Sequence, residues 1–150
     1  MSSPQLSGPS GLFQHQPLDP QSVEIRLLCV EHDSDKLQPI RLTVKHVRLA
    51  DDCDFVALSY TWGLESPNHD VYIRCTGSEA GTYNIRQNLY DFFKEMRRED
   101  DQTWFWVDQI CINQADLQEK SEQICRMSEI YSKARRVDMW LAPRLRIAMT

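Results

Sequence analysis

The sequence has no long apolar run, and that absence excludes a class of protein. A membrane-spanning helix needs about 20 consecutive apolar residues, and no window approaches that length. The opening stretch MSSPQLSGPSGLFQHQPLDPQ also lacks the basic region and apolar run of a secretory signal peptide. We therefore expect a soluble, cytoplasmic protein that makes no membrane contact.

Paired metal-binding motifs and excess basic charge are absent too. The five cysteines include no C-x-x-C pair, and the sequence has no H-x-x-x-H, so the spacing predicts neither a zinc site nor a disulfide framework. Reduced thiols and no metal or other cofactor are expected. The 17 Lys plus Arg are outnumbered by 22 Asp plus Glu, for a net charge of -5, which argues against a nucleic-acid partner.

The chain has enough apolar residues to form the hydrophobic core of one domain, since 41% of its 150 residues are hydrophobic. Residues 1–21 are rich in Ser, Pro, Gln and Gly and are predicted to be a disordered leader. Residues 22–54 are predicted to be a β-rich lead-in, because SVEIRLL and IRLTV each alternate apolar and polar residues. The main domain is expected over 55–150.

From Phe55 onward, strand and helix patterns alternate. FVALSY, VYIRC, TWFWV and VDMWL are predicted strands, and NIRQNLYDFFKEMRR has the apolar spacing of an amphipathic helix. Asn84 is the predicted N-cap of that helix, with Gln87 completing a capping box. The stretch DLQEKSEQICRMSEIYSKA predicts a second helix with Asp116 at the N-cap and Glu119 at N3. Its predicted apolar stripe consists of Leu117, Ile124, Met127, Ile130, Tyr131 and Ala134.

This alternation indicates an α/β fold: a parallel sheet with helical crossovers, preceded by a small antiparallel lead-in. Ligands of such sheets bind beyond the carboxyl ends of the strands. Those ends are SYTWG after the first main strand, DQICINQ after TWFWV, and LAP after the last. The stretch TWFWVDQICINQ thus runs from a buried strand directly into the predicted ligand-binding edge of the sheet, hereafter the working edge.

Three stretches resemble, in order, the motifs of the heterokaryon incompatibility (HET) domain of filamentous fungi: FVALSYTWG, NIRQNLYDFF, and WFWVDQICINQ with the helix and strand after it. The resemblance covers roughly 55–142. The residues that fall in step are Ala57 to Tyr60, Trp62, Gly63, Asn88, Leu89, Trp106, Asp108, Cys111 to Gln114, Glu119, Gln123, Met127, Ile130, Tyr131, Val137, Trp140 and Leu141.

The resemblance implies a domain that triggers cell death after non-self recognition, acting through protein partners and as a possible homo-oligomer. Two features depart from the family pattern. Ala142 stands where the family usually has glycine, and the chain stops at Thr150, where such domains usually continue. We therefore expect an incomplete, N-terminal part of the domain. Its last strand, VDMWL, is expected to be an uncovered edge that invites association.

HET domains are also distantly similar to Toll/interleukin-1 receptor (TIR) domains, so the resemblance implies a partial TIR-like, flavodoxin-like sheet. Some TIR domains cleave NAD+, which makes NAD+ a possible substrate and an NAD+ glycohydrolase the alternative function. The glutamate that TIR hydrolases use lies on a helix after the third strand, a region beyond the matched motifs here. If the domain is an NAD+ glycohydrolase, this chain is therefore expected to be inactive as an enzyme.

The first strand end supplies the candidate ligand-binding residues Ser59, Tyr60, Trp62 and Gly63. Trp62 can stack on a planar ring, and Gly63 lets backbone approach a phosphate or ribose. The competing interpretation is a strand end whose aromatic rings pack under a loop. With the family resemblance, the two interpretations are balanced.

The second strand end supplies Asp108, Asn113 and Gln114 as further ligand-binding candidates. Asp108 can orient a ribose hydroxyl or act as a base, although holding the N–H groups of the next turn is the commoner role. Asn113 is expected to hold the turn, whereas Gln114 can reach across a cleft.

Catalysis has only weak candidates, Glu119 and Asp108. A glutamate in the first turn of a helix is stabilised in its ionised form by the helix dipole, which opposes a role as acid. Glu119 is therefore predicted to be a helix-start residue first and a base second. Cys111 is flanked by two isoleucines and has no histidine near it in sequence, so we expect it to face inward rather than act as a nucleophile.

Overall fold

The predicted strands come together in one mixed sheet in the computed structural model of the chain, which describes residues 11–77, 79–142 and 145–149. Its eight strands are β1 (Glu24–Val30), β2 (Arg41–Arg48), β3 (Val56–Tyr60), β4 (His69–Cys75), β5 (Gly81–Ile85), β6 (Trp104–Trp106), β7 (Arg136–Ala142) and β8 (Leu145–Met149). Its helices are α1 (Gln87–Met96), α2 (Asp108–Cys111), α3 (Leu117–Cys125) and α4 (Met127–Lys133).

The strand order is β5-β4-β2-β1-β6-β3-β7-β8. At its centre, β3 pairs in parallel with β6 on one side and with β7 on the other, as strand and helix alternation predicts. The α/β class is therefore confirmed. The sheet as a whole is mixed rather than parallel, because β1 is antiparallel to both β2 and β6, β4 to β5, and β7 to β8.

The predicted lead-in is an antiparallel pair, β1 and β2, as expected. It continues the main sheet, since Leu28 and Cys29 of β1 pair with Phe105 and Trp104 of β6. Two strands were missed by the sequence patterns: β5, a short GTYNI segment, and β8. The strand VDMWL, predicted to be an uncovered edge, is part of β7. Because β8 pairs with β7, that prediction is wrong.

The sheet curls so that its far strands approach α2. Strand β5 lies three places from β1 in the strand order, yet the Tyr83 hydroxyl of β5 donates to the Gln109 carbonyl of α2 at 3.0 Å. Apolar residues that alternate along these strands belong to the hydrophobic core. Fully buried members of this core include Leu28, Leu42, Val44, Val71, Ile73 and Ile85.

The first helix buries its apolar face as its spacing predicts, with Leu89, Phe92, Phe93 and Met96 all buried. Its predicted start is wrong. Arg86 occupies the N-cap without a side-chain hydrogen bond, whereas Asn84 is part of β5 and donates its amide to Asp70 at 2.7 Å. Asn84 therefore lies in the strand and contacts a cross-strand partner instead of the helix start.

The second predicted helix is two helices, α3 and α4, separated at Arg126, whose φ of -96° and ψ of 1° break the helical path. The predicted cap of α3 is confirmed: Asp116 accepts a hydrogen bond from the Glu119 N–H at 3.1 Å. The predicted stripe is wrong for α3. Leu117 is 78% exposed and Ile124 is 50% exposed, while Glu119 and Gln123 are the buried residues of the helix.

Residues 11–16 of the predicted disordered leader pack against the sheet. Phe13 donates its N–H to the Thr82 carbonyl at 2.8 Å, and the Thr82 N–H donates to the Gly11 carbonyl at 3.0 Å. Residues 1–10 of the leader lie outside the described residues. In the part of the chain that the structure describes, the longest helix has 10 residues, so no helix can span a bilayer.

Candidate functional site

Asp108 lies at the point where β6 gives way to α2, a single helical turn at the start of the predicted loop DQICINQ. Val107 is extended and acts as the N-cap of that turn. The Trp62 indole N–H donates to the Asp108 carboxylate at 3.2 Å, and the Tyr60 hydroxyl donates to the neighbouring Gln109 side-chain oxygen at 2.9 Å. The two predicted strand ends therefore meet, as parallel pairing requires.

Burial governs the ionisation of this cluster. The pKa of Asp108 is raised above its ordinary value because the carboxyl is desolvated, and hydrogen bonds from Trp62 and the Gln109 N–H only partly oppose that effect. Burial also raises the pKa of Tyr60 well above its ordinary value, with the Asp108 charge adding to it. Asp108 is thus a half-buried carboxyl whose hydrogen-bond partners come from the protein itself.

The loop after β3 is held from several sides. The Asn88 amide donates to the Thr61 carbonyl at 2.7 Å, and the Arg86 guanidinium lies 5.6 Å from the centre of the Trp62 ring. Gly63 has a φ of 95°, a left-handed conformation that favours glycine. A turn requirement therefore explains Gly63, while Ser59 is half-buried within β3.

Asn113 and Gln114 both hold the turn between α2 and α3. The Asn113 side-chain oxygen accepts from the Ala115 N–H at 3.1 Å. The Gln114 amide donates to the Asp108 carbonyl at 2.9 Å and to the Ile112 carbonyl at 3.4 Å. The bond to Ala115 supports the prediction that Asn113 holds the turn. The Gln114 side chain also holds the turn, through its bonds to two carbonyls.

Glu119 is engaged in a buried ion pair that no sequence pattern indicated. Both of its carboxylate oxygens accept from Arg26, at 2.7 and 2.9 Å, and one of them also accepts from the Asn113 N–H at 2.7 Å. Arg26 has 0% exposure and Glu119 has 8%. A bidentate pair of this kind fixes the carboxylate in place.

Arg26 ties four segments together. Besides Glu119 on α3, its guanidinium donates to the Cys111 carbonyl of α2 at 3.0 Å and to the Gln16 carbonyl at 2.7 Å. It belongs to β1, whose EIRLL resembles the family's lead-in strand but lies upstream of the motifs over 55–142. The local sign was an arginine between the apolar residues Ile25 and Leu27, and nothing in that strand indicates its partner.

Cys111 faces inward, as expected. It is 0% exposed, and burial raises the pKa of its thiol to about 12. Its sulfur accepts a hydrogen bond from the Val107 N–H at 3.4 Å. A thiol with such a high pKa holds almost no thiolate near neutral pH, which removes Cys111 as a nucleophile.

A small cavity lies by the predicted working edge. It has a volume of about 360 Å³ and is lined by Phe13, Gln14, His15, Tyr83, Asn113, Gln114 and Ala115. A cavity of about 930 Å³ lies instead at the opposite ends of the parallel strands, beside Asp54, Thr103 and Arg135. No group of three metal-binding side chains is found within 11–77, 79–142 and 145–149.

The candidate residues therefore form a connected network. Tyr60, Trp62, Asp108, Asn113, Gln114 and Glu119 are linked through α2 and the turn after it. Most of their polar groups already contact protein atoms. The network stabilises the junction of β3, β6 and α3, and burial raises the pKa of two of its members, Asp108 and Tyr60.

Comparison with known proteins identifies the motif set. Residues 55–147 match the family described as heterokaryon incompatibility protein (HET). The chain is also 29% identical over 134 residues to heterokaryon incompatibility protein 6, OR allele, of Neurospora crassa. That match covers 84% of this chain and 20% of the Neurospora protein, so the chain spans about a fifth of the length of that relative. No solved structure matches.

Proposed function

Since this chain belongs to the heterokaryon incompatibility protein (HET) family, we propose that it serves a fungal incompatibility response as a domain that self-associates and signals cell death. The family match over residues 55–147 carries this proposal. It is supported by the relative in Neurospora crassa, whose name records a role in heterokaryon incompatibility. The proposed partners are proteins, including a second copy of the chain, acting in the cytoplasm.

The hydrogen-bond network favours a protein-interaction role over catalysis. A catalytic carboxylate must reach its substrate, yet Glu119 is bound by Arg26 and by the Asn113 N–H. The polar side chains of the HET motif thus hold the fold of the domain together. On this proposal, the signal is produced by assembly of folded domains rather than by turnover of a substrate.

The effector role is tested by inducing the chain in Neurospora crassa and counting dye-permeable cells. We expect induction to increase cell death, and Arg26→Met to abolish the increase because it disrupts the junction. Leu37→Ser is the matched control, since Leu37 is 91% exposed and makes no core contact. Equal viability with and without induction, at matched protein levels, contradicts the effector role.

Cleavage of NAD+ is the second candidate, favoured by one observation: a half-buried carboxyl of raised pKa, Asp108, next to the Trp62 ring. Such groups are common in active sites. Because Glu119 is held in an ion pair, we expect purified chain to release little or no nicotinamide from millimolar NAD+. Sustained release that Asp108→Asn abolishes would instead favour the enzyme.

A further inference from the structure

Residues 11–16, hereafter the arm, lie upstream of the family match and run along the edge of β5. Leu12 forms a parallel bridge with Thr82. Two backbone hydrogen bonds hold the pair, from the Phe13 N–H to the Thr82 carbonyl at 2.8 Å and from the Thr82 N–H to the Gly11 carbonyl at 3.0 Å. The arm therefore binds as an added strand, a mode in which backbone bonds provide affinity.

The groove that receives the arm requires glycine at its floor. A Cβ atom placed on Gly81 would lie 2.5 Å from both the N and the Cα of Phe13, closer than real Cβ contacts. These are backbone atoms, so a rotamer change cannot relieve the overlap. Any side chain at position 81 excludes the present path of the arm.

The arm's side chains fill an aromatic corner next to the HET motif. Phe13 and His15 each pack edge-on against Tyr83, with ring centres 6.2 and 6.0 Å apart. The His15 ring N–H donates to the Ile110 carbonyl of α2 at 2.7 Å. Phe13 and His15 also line the small cavity beside Asn113.

The far end of the arm satisfies a buried charge. The Gln16 carbonyl accepts from the fully buried Arg26 guanidinium at 2.7 Å. Withdrawal of the arm would leave that N–H without this partner, which is costly in a buried site. The groove therefore needs an occupant, and the arm sequence is complementary to it.

The link between arm and sheet suits exchange between chains. Residues 17–22 contain Pro17 and Pro20, which favour extended backbone, and are mostly exposed. Their hydrogen bonds centre on Asp19, through the N–H of Gln21 and the hydroxyl of Ser22. Six extended residues span about 20 Å. Opening the turn over residues 19–22 lets the arm leave the groove, and binding in the groove of a second copy restores the Gln16 contact that Arg26 loses.

We propose that the arm is exchanged between two copies of the chain, so that the groove of each copy holds residues 11–16 of the other. This inference rests on the proposed self-association and names the surface that carries it. Exchange recreates in trans every contact that the arm makes in cis, so it adds no new interface chemistry. Since the cis arm competes at high effective concentration, the dimer forms only in concentrated solution.

The experiment uses full-length chain carrying the photo-crosslinker benzoylphenylalanine in place of Phe13, labelled with heavy nitrogen and mixed with unlabelled wild-type chain. Sedimentation over a wide concentration range measures self-association in the same mixture. After irradiation, mass spectrometry of the dimer fraction reports whether crosslinks to residues 81–85 or 113–115 join heavy to light peptides. We expect heavy-to-light crosslinks whose yield rises with the dimer.

Two variants make the test specific. Gly81→Ala should weaken dimerisation at least tenfold, because its methyl group collides with the arm backbone, whereas Gly11→Ala should not, since a Cβ there meets nothing within 4 Å. Deletion of residues 1–16, which removes the arm from both copies, should abolish dimerisation and serves as the second variant if Gly81→Ala fails to fold. Excess synthetic peptide GLFQHQP should reduce heavy-to-light crosslinking.

The outcomes separate the inference from the function on which it rests. A dimer fraction that shows only within-chain crosslinks, or a dimer that persists after deletion of residues 1–16, overturns arm exchange and leaves self-association standing. A chain that sediments as a monomer at every concentration overturns the proposed self-association, and arm exchange with it.

Discussion

Helices α1 and α3 both pack on the same sheet, yet they bury opposite kinds of residue. The first buries Leu89, Phe92, Phe93 and Met96. The second buries Glu119 and Gln123 and leaves Leu117 and Ile124 exposed. The difference arises opposite α3, where Arg26 presents a buried guanidinium. A helix turns its polar face inward when the strand beneath it carries a charge that must be paired.

The largest expected effect comes from breaking the ion pair under α3. Arg26→Met leaves the Glu119 carboxylate buried without its partner and should cost about 3–5 kcal/mol of unfolding free energy. The double variant Arg26→Met/Glu119→Leu should recover a large part of that loss, because no lone charge remains. Urea unfolding followed by tryptophan fluorescence measures both. Equal losses in the single and double variants would contradict the account.

The apolar contact of α1 should respond differently. Leu89 is 1% exposed, so Leu89→Ala leaves a buried cavity and should cost about 3 kcal/mol of unfolding free energy. No second substitution on the helix is expected to recover it, since the loss is one of packing. Lys94→Ala, on the solvent side of the same helix, should change stability by less than about 0.5 kcal/mol and serves as the control.

The third contrast is in pH dependence. His46 lies opposite Arg26 in the sheet, and burial with the nearby Arg26 charge lowers the pKa of His46 below 6.5. The unfolded chain therefore binds more protons below pH 6.5, so stability contributed by neutral His46 is present above that pH and is lost as pH falls through the lowered pKa.

This loss is measured by repeating the urea titrations between pH 7.5 and pH 5 on wild type and His46→Gln. The stability of wild type should fall more steeply on acidification than that of the variant. The α1 variant Leu89→Ala, which removes no titratable group, should keep the wild-type slope. Parallel curves for wild type and His46→Gln would show that His46 is not desolvated in the folded chain.

Caps provide a smaller contrast. Asp116→Ala removes the acceptor of the Glu119 N–H at the start of α3 and should cost about 1 kcal/mol. Asp116→Asn keeps an acceptor oxygen and should lose much less. At α1, Arg86 makes no cap bond, so Arg86→Ala tests only its contacts with Glu65 and Trp62. A cost at Asp116→Asn equal to that at Asp116→Ala would exclude capping as the cause.

The smallest effect is expected on the exposed face of α3. Leu117→Gln and Ile124→Gln should each change unfolding free energy by less than about 0.5 kcal/mol, whereas the predicted apolar stripe would require losses several times larger. Thermal or urea unfolding distinguishes the two. A loss above 2 kcal/mol at either position would restore the stripe predicted from the sequence.

Sequence patterns predicted what depends on neighbouring residues. The three parallel strands, the buried face of α1 and the Asp116 cap follow from local spacing and are confirmed. The start of α1 was misplaced because Asn84 pairs across strands with Asp70 instead of capping. The strand β5 was missed because its five residues carry no clear alternation.

The sequence predicted which residues form the site but missed the long-range contacts that hold them. Asp108, Tyr60 and Trp62 meet because parallel strand ends share an edge. The partner of Glu119 lies 93 positions upstream, and no spacing rule links residues so distant. The same holds for His15 and the Ile110 carbonyl, which are 95 positions apart.

By itself, then, the sequence determined the family, the α/β alternation and the polar motif at the end of β6, because these depend on residues close together in the chain. Only the tertiary structure decided that Glu119 pairs with Arg26, that α3 turns its apolar side chains to solvent, and that the arm lies in a groove floored by Gly81. The physical reason is desolvation. A buried charge must find its partner in space, and folding brings that partner from wherever in the chain it lies.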